Sequence, residues 1–264
     1  MFIKPGKMVI HVNISGDDNA PVIVLLHSLG TNLHIWDEQV NVLKEKYRVL
    51  SIDMRGHGLS EISVEPFTIE DLANDVLSVI DYFNIRTFSV AGVSIGGLVA
   101  QYLADSVPAI LNSVILVDTY LAPASKEFWI CLAKNIRTEG LIPYVDEIFN
   151  RWVTVNFRET PAAIGMKQML YRTSPEGYAG CADALAKINP NKKCITGFPV
   201  LVIVGEEDVV ATPDAARQLA EARNGQLKIL SNASHIPLLE KSSEINVELM
   251  RFLDVISNGI VNQA

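Results

Sequence analysis

What the chain lacks narrows the possibilities first. Its opening residues, MFIKPGKMVIHVNISG, have no basic stretch followed by an unbroken apolar run, and Pro5 and Gly6 interrupt what apolarity there is, so no secretion signal is expected. No apolar run approaches the ~20 residues that cross a bilayer, which argues against any membrane association. Basic charge is in deficit: 22 Lys and Arg stand against 30 Asp and Glu, a net charge of −8, so a polyanion such as nucleic acid is not an expected partner. A small anionic substrate, which needs only one local cation, stays open. Cysteine is scarce. Cys131, Cys181 and Cys194 are odd in number and have no metal-ligand spacing, which points to reduced thiols serving as small buried apolar side chains in a cytoplasmic protein. Internal repeats and low-complexity linkers are missing too, so the 264 residues suit one α/β domain, with or without a small insertion.

What is there centres on Thr87 to Ala104, TFSVAGVSIGGLVAQYLA. Its first half is a short apolar run, and its second half carries Ile95, Leu98, Val99, Tyr102 and Leu103 at helical spacing, so the period switches from strand to helix across Gly92-Val93-Ser94-Ile95-Gly96. A G-x-S-x-G at such a switch makes a sharp nucleophile elbow, with room only for small residues two positions either side of the serine. The turn exposes the Ser94 hydroxyl at the carboxyl end of the sheet. It also aims the Ile95 amide, at the helix start, toward any oxyanion that forms there.

Around this stretch the chain alternates. Lys7 to Ile14 reads as an antiparallel edge strand, and Pro21 to Leu26 as a central parallel one, being apolar throughout. The loop after it, His27-Ser28-Leu29-Gly30, can offer a second amide to an oxyanion; Leu29 is the candidate, with Ser28 its neighbouring alternative. A helix is expected over Ile35 to Lys46, a strand over Tyr47 to Asp53, and a helix capped by Thr68 and Asp71 running to Phe83. His27, Asp53, Arg55 and His57 are read as groups that fix loops to the sheet rim. Leu111 to Val117 and Pro199 to Val204 are further buried strands, Thr212-Pro213 opens a helix, Leu227 to Leu230 is the last strand, and a helix over Glu240 to Ser257 ends the fold. From Tyr120 to Lys193 the alternation stops and helical segments take over. The expected organisation is a mostly parallel α/β core, residues 1–119 and 196–264, with a helical lid inserted at residues 120–195 over the sheet edge that carries Ser94.

Serine at its ordinary pKa is a weak nucleophile and needs a base held by a third group. Ser94, Asp208 and His235 each fall just past the carboxyl end of a strand, and in a parallel sheet those ends share one edge. Their chain order, Ser then Asp then His, suits a serine hydrolase of this architecture. Asp118, Glu206 and Glu207 are the rival acids. A metal or organic cofactor is not expected, and nothing in the sequence bears on oligomeric state.

HSLGTNLHIWDEQV, DMRGHGLS, GVSIGG, GEEDVVATP and NASHIP together resemble the α/β-hydrolase superfamily over essentially the whole chain. Within it the sequence is most similar to the 3-oxoadipate enol-lactonases, and Ser174-Pro175-Glu176-Gly177-Tyr178-Ala179-Gly180-Cys181 is the most specific stretch. The resemblance implies an α/β-hydrolase fold, Ser94 as nucleophile, Asp208 as acid, His235 as base, and Leu29 and Ile95 as the oxyanion amides. Lys187, Asn189 and the longer Asn191-Lys192-Lys193-Cys194 join depart from the lactonase pattern, which leaves the hydrolase reading intact and opens the substrate.

The first functional expectation is hydrolysis of a small-molecule ester or lactone through an acyl-serine. A substrate carboxylate would need a cation from Lys134, Arg137, Arg151, Arg158 or Arg172, and Trp129, Trp152 and Tyr171 would line an apolar pocket. The second is a carboxylesterase of broad specificity with perhydrolase or haloperoxidase side activity. The third is a ligand-binding signalling protein on the same fold, which fold alone does not exclude.

Overall fold

The computed structural model describes residues 1–63, 65–188 and 197–261, with side chains to residue 256. Asn189, the Asn191–Cys194 join and the expected 195/196 boundary lie outside the described residues.

Strands β1 (Phe2–Ile3), β2 (Ile10–Ser15), β3 (Val22–Leu26), β4 (Arg48–Ile52), β5 (Phe88–Val93), β6 (Leu111–Val117), β7 (Val200–Gly205) and β8 (Gln226–Leu230) form one sheet in the order β1-β2-β4-β3-β5-β6-β7-β8. The first two strands pair antiparallel, and every pair from β4 onward is parallel. Consecutive residues of β5 and β7 are all buried, so these strands are covered on both faces, as their unbroken apolar runs require. The expected edge strand is second from the edge. Phe2 pairs with His11 and Ile3 with Ile10, after Pro5 and Gly6 let the chain double back.

Helices α1 (Asp37–Leu43), α2 (Ile69–Tyr82), α3 (Ile95–Ser106), α8 (Pro213–Ala222), α9 (Pro237–Glu240) and α10 (Ser242–Val261) cover the sheet, α1 packing on α10 and α2 on α3. Thr68 caps α2 in a reciprocal box with Asp71, and Thr212 caps α8 ahead of Pro213. The helix expected from Ile35 instead begins as a tight turn at Leu33–Trp36 and becomes α-helical at Asp37, because Asn32 caps that turn. The terminal helix is preceded by the short α9, with Lys241 outside helical geometry between them. Among the described residues no helix is long and apolar enough to cross a membrane.

Between β6 and β7 lie α4 (Lys126–Glu139), α5 (Val145–Asn150), α6 (Pro161–Arg172) and α7 (Pro175–Ala186), with α4 packed along α7. This group sits down on the sheet rim through a contact of two backbones. A methyl on Gly177 would strike the Gly56 carbonyl, and Gly56 itself has φ +77. That is the physical need behind Gly177 in the Ser174–Cys181 segment.

The rim loops are fixed by buried polar side chains. Asp53 Oδ1 accepts from the Leu33 amide at 2.8 Å, while Oδ2 accepts from the Leu59 amide at 2.9 Å and from His11 Nδ1 at 2.8 Å. His27 bridges its own loop and the next, with Nδ1 on the Ser28 carbonyl and Nε2 accepting from the Met54 amide. His57 Nε2 accepts from the Gly30 amide at 3.0 Å. Burial, with His27 close by, pushes His57 down to about 3, so it is a neutral acceptor. Arg55 pairs with Asp75. All four groups thus hold loops rather than face a cavity. Because two amides lose their acceptor at once, Asp53→Ala should lower unfolding stability by about 2–4 kcal/mol, measured by urea denaturation; a change under ~1 kcal/mol would contradict this role.

Candidate active site

Ser94 occupies the single position between β5 and α3, at φ 56 and ψ −117. A residue other than glycine gives up of order 1–3 kcal/mol to stay there, so the surroundings must hold it. They do so by hydrogen bonds from the Ser94 amide to the Val117 carbonyl at 2.9 Å and from Thr119 Oγ1 to the Ser94 carbonyl at 2.8 Å. Gly92 lies against the backbone of Gly96 and Gly97, and Gly96 against the carbonyls of Leu26 and His27. Together they let α3 leave the strand at once.

The hydroxyl of Ser94 meets His235 Nε2 at 3.0 Å, and His235 Nδ1 meets Asp208 Oδ2 at 2.8 Å. Asp208 Oδ1 accepts from the amides of Val210 and Ala211 at 2.7 and 3.0 Å. All three side chains are buried. Burial alone would raise the Asp208 carboxyl; the charge and hydrogen bond of His235, with the Val210 amide, outweigh it and hold Asp208 below the usual range. Asp208 is therefore a fixed negative charge behind the imidazole. Of the rival acids, Glu206 and Glu207 face solvent, and Asp118 is buried beside Asp208 without touching the imidazole by any hydrogen bond.

The amide of Leu29, in the loop after β3, and that of Ile95, directly after Ser94, bond to no described residue. The Leu29 loop is set by His27 and His57, and the Ile95 amide is the first of α3, where the helix leaves its donors open. An arrangement of hydroxyl, imidazole, carboxylate and two open amides can deprotonate an alcohol and accept charge on an adjacent oxygen. Asp118, Asp208 and His235 are also the one group among the described residues with potential cation ligands, all within 4.8 Å. His235 Nδ1 is already engaged by Asp208, so the set is poorly matched to a metal ion.

Above Ser94 and His235 lies a cavity of about 210 Å³, walled mainly by apolar side chains from α4, α5 and α7. Trp129, Arg151 and Trp152 line it. Arg151 pairs with Glu147 and lies over the Phe128 ring, 5.7 Å from its centroid. Tyr171 does not line the cavity: the inward side of α6 is Ala163, Met166 and Leu170, which turns the next residue outward. Arg137 pairs with Glu176 and Asp183, Arg158 binds the Asn150 carbonyl, and Arg172 binds Gln168, so these cations are used within the helices; Lys134 also lies off the wall. Cys181 is buried as expected, but Cys131 is exposed and borders the cavity. Sequence reasoning passed over Phe128, Cys131, Leu132 and Asn135. Their spacing of three, four and seven residues was the available sign of a common helix face.

Residues 21–138 match the family model described as the alpha/beta hydrolase fold. The chain is 36% identical over 236 residues to 3-oxoadipate enol-lactonase 2 of Acinetobacter baylyi, covering 88% of each protein. Among solved structures it is similar to the enol-lactonase from Burkholderia xenovorans LB400, with TM-score 0.92 and 34% identity, covering 96% of this chain and 100% of that one. It is similar also to a thermophilic esterase from Thermogutta terrifontis, with TM-score 0.89 and 25% identity over 96% of both chains.

The elbow's tolerance is directly testable. A Cβ at position 92 collides with backbone, which cannot step aside as a side chain can. Gly92→Ala should therefore cost about 2–3 kcal/mol in urea unfolding, and wild-type stability in that variant would show that the turn relaxes freely.

Proposed function

We propose that this chain, which belongs to the α/β hydrolase family and hydrolyses carboxylic esters or lactones, takes a carboxylated enol-lactone of the 3-oxoadipate type as substrate. The observation that carries this reading is the Ser94–His235–Asp208 contact chain, at 3.0 and 2.8 Å, on the floor of an apolar cavity whose one described lining cation is Arg151. Two relatives named 3-oxoadipate enol-lactonases support it, one of them reported above.

In the proposed reaction His235 Nε2 takes the proton of Ser94 as its oxygen attacks the lactone carbonyl. The negative oxygen of the tetrahedral intermediate sits between the amides of Leu29 and Ile95. Asp208 stabilises the charged imidazole and keeps its tautomer. The ring C–O bond breaks, His235 returns the proton to the enol oxygen, and the enol becomes a ketone. Water, deprotonated by the same imidazole, then attacks the acyl carbon, and as the bond to Ser94 breaks His235 returns the proton to the Ser94 oxygen, freeing the acid. Trp129 and Trp152 pack against the acyl chain, and Arg151 receives the substrate carboxylate as Glu147 gives way. Helices α4 to α7 act as the lid that keeps bulk water from the acyl-serine.

A carboxylesterase of broader specificity is the second reading. The specific feature in its favour is that Arg151 already has its charge matched by Glu147 and stacked on Phe128.

Ser94→Ala should abolish labelling by a fluorophosphonate and lower kcat by about 10⁶-fold. Retained labelling would remove Ser94 from the reaction. For the substrate, Arg151→Ala should raise KM for the carboxylated enol-lactone about tenfold or more while leaving p-nitrophenyl acetate little changed. Equal effects on both, or turnover of the acetate ester alone by the wild-type protein, would favour the esterase reading.

A further inference from the structure

Asp118 is the residue at the carboxyl end of β6, and its place in the site is unusual for an acid. It is fully buried, and its backbone is left-handed, at φ 43. Its amide donates to the Ile203 carbonyl at 2.8 Å, and its Oδ1 accepts from the Gly205 amide at 2.8 Å. Both contacts clamp the end of β7, three residues before Asp208. The other oxygen, Oδ2, is buried with no donor in reach. Instead, Asp118 faces a second acid: a carboxylate oxygen of each and a ring nitrogen of His235 lie within 4.8 Å of one another.

Two buried carboxylates this close do not both ionise, since each raises the cost of charging the other. The question is which one keeps the proton, and the donors decide it. Asp208 receives three hydrogen bonds, from two amides and from His235, whereas Asp118 receives one. The negative charge belongs where the donors are. A proton on Asp118 Oδ2 also removes the orphaned oxygen, because it turns a lone acceptor into a donor facing Asp208.

We propose that Asp118 is a positioning residue, protonated in the working enzyme, whose carboxyl donates a hydrogen bond to Asp208 and so fixes the acid that orients His235. The proposal rests on the triad reading given above. Burial above all, then the charge of Asp208, pushes Asp118 well above the usual carboxylate range. The charged and titratable groups around the pair are His235 from the loop after β8, Glu240 of α9, whose negative charge acts in the same direction, and Tyr120, which faces Asp208.

A folded chain that keeps this proton, while its unfolded form releases it above the ordinary Asp range, loses stability as pH rises by one proton's worth. Asp118→Asn keeps an acceptor for Gly205 and a donor for Asp208 but has nothing to titrate. Urea unfolding of both proteins from pH 5 upward should therefore show the wild-type unfolding constant rising with pH relative to the Asn variant, by about tenfold per pH unit while the folded form keeps its proton. With p-nitrophenyl acetate at pH 7, Asp118→Asn should keep kcat within about threefold of wild type, and Asp118→Ala, which lacks the donor, should lose about tenfold or more. A stability difference that is flat with pH would overturn the proposal even if the Ala variant does not fold. Equal loss in folded Asn and Ala variants would overturn it as well. Full activity in Asp208→Ala would instead strike the triad reading beneath it.

Discussion

Everything at the catalytic rim depends on a backbone conformation that serine would not choose. Ser94 is held at positive φ between a strand and a helix with no linker residue, and the cost is met by the Val117 carbonyl, the Thr119 hydroxyl and the contact of Gly92 with Gly96. The geometry raises one hydroxyl above the sheet edge and leaves the next amide free. The parallel arrangement of β4, β3, β5, β6, β7 and β8 then brings the ends of six strands to the same edge, where loops from distant parts of the chain converge.

Much of this was legible in the sequence because the physics leaves few residue types to choose from. A strand buried on both faces must be apolar throughout, so Val22–Leu26 and Val200–Gly205 announce themselves. A turn as sharp as the one at Ser94 must be flanked by glycine. The reading of Ser94, Asp208 and His235 as neighbours follows from the elbow motif, the strand ends and the chain order together, and the three do stand in contact. The cavity wall was less legible. Aromatic residues at helical spacing reveal that a helix has an apolar side but not which neighbour it meets, so the sequence reading puts Tyr171 on the wall, where it is not, and leaves out Phe128, which is there. The pairing of Phe2 and Ile3 with β2 was missed for a related reason: two residues carry no period. Composition likewise made every cysteine a core residue, although Cys131 is exposed.

The charge layout of the site follows one rule, that a buried polar group takes the state its partners allow. His57 stays neutral because it is buried with His27 close by, and its lone pair serves the Gly30 amide. Asp208 stays ionised because two amides and an imidazole point at it. Asp118 sits a few ångströms away with one donor and takes the opposite state. The side chains that hold loops and those that face the cavity thus belong to one electrostatic arrangement, and the sequence could name its members without assigning their protons.

The segment following α5 is tied to the histidine loop by its backbone: Ser234 Oγ donates to the Arg151 carbonyl, the Ile236 amide to the Trp152 carbonyl, and Glu240 accepts from both Thr154 and Ser234. Pocket wall and imidazole are consequently one mechanical unit. A change that shifts the backbone at Arg151 or Trp152 tugs on the loop that delivers the proton acceptor, whereas a side-chain truncation there keeps both carbonyls and leaves that loop in place. The far side, where α4 presents Leu132 and Asn135, makes no hydrogen bond to the histidine loop among the described residues, and new substrates can be accommodated there without disturbing the chemistry.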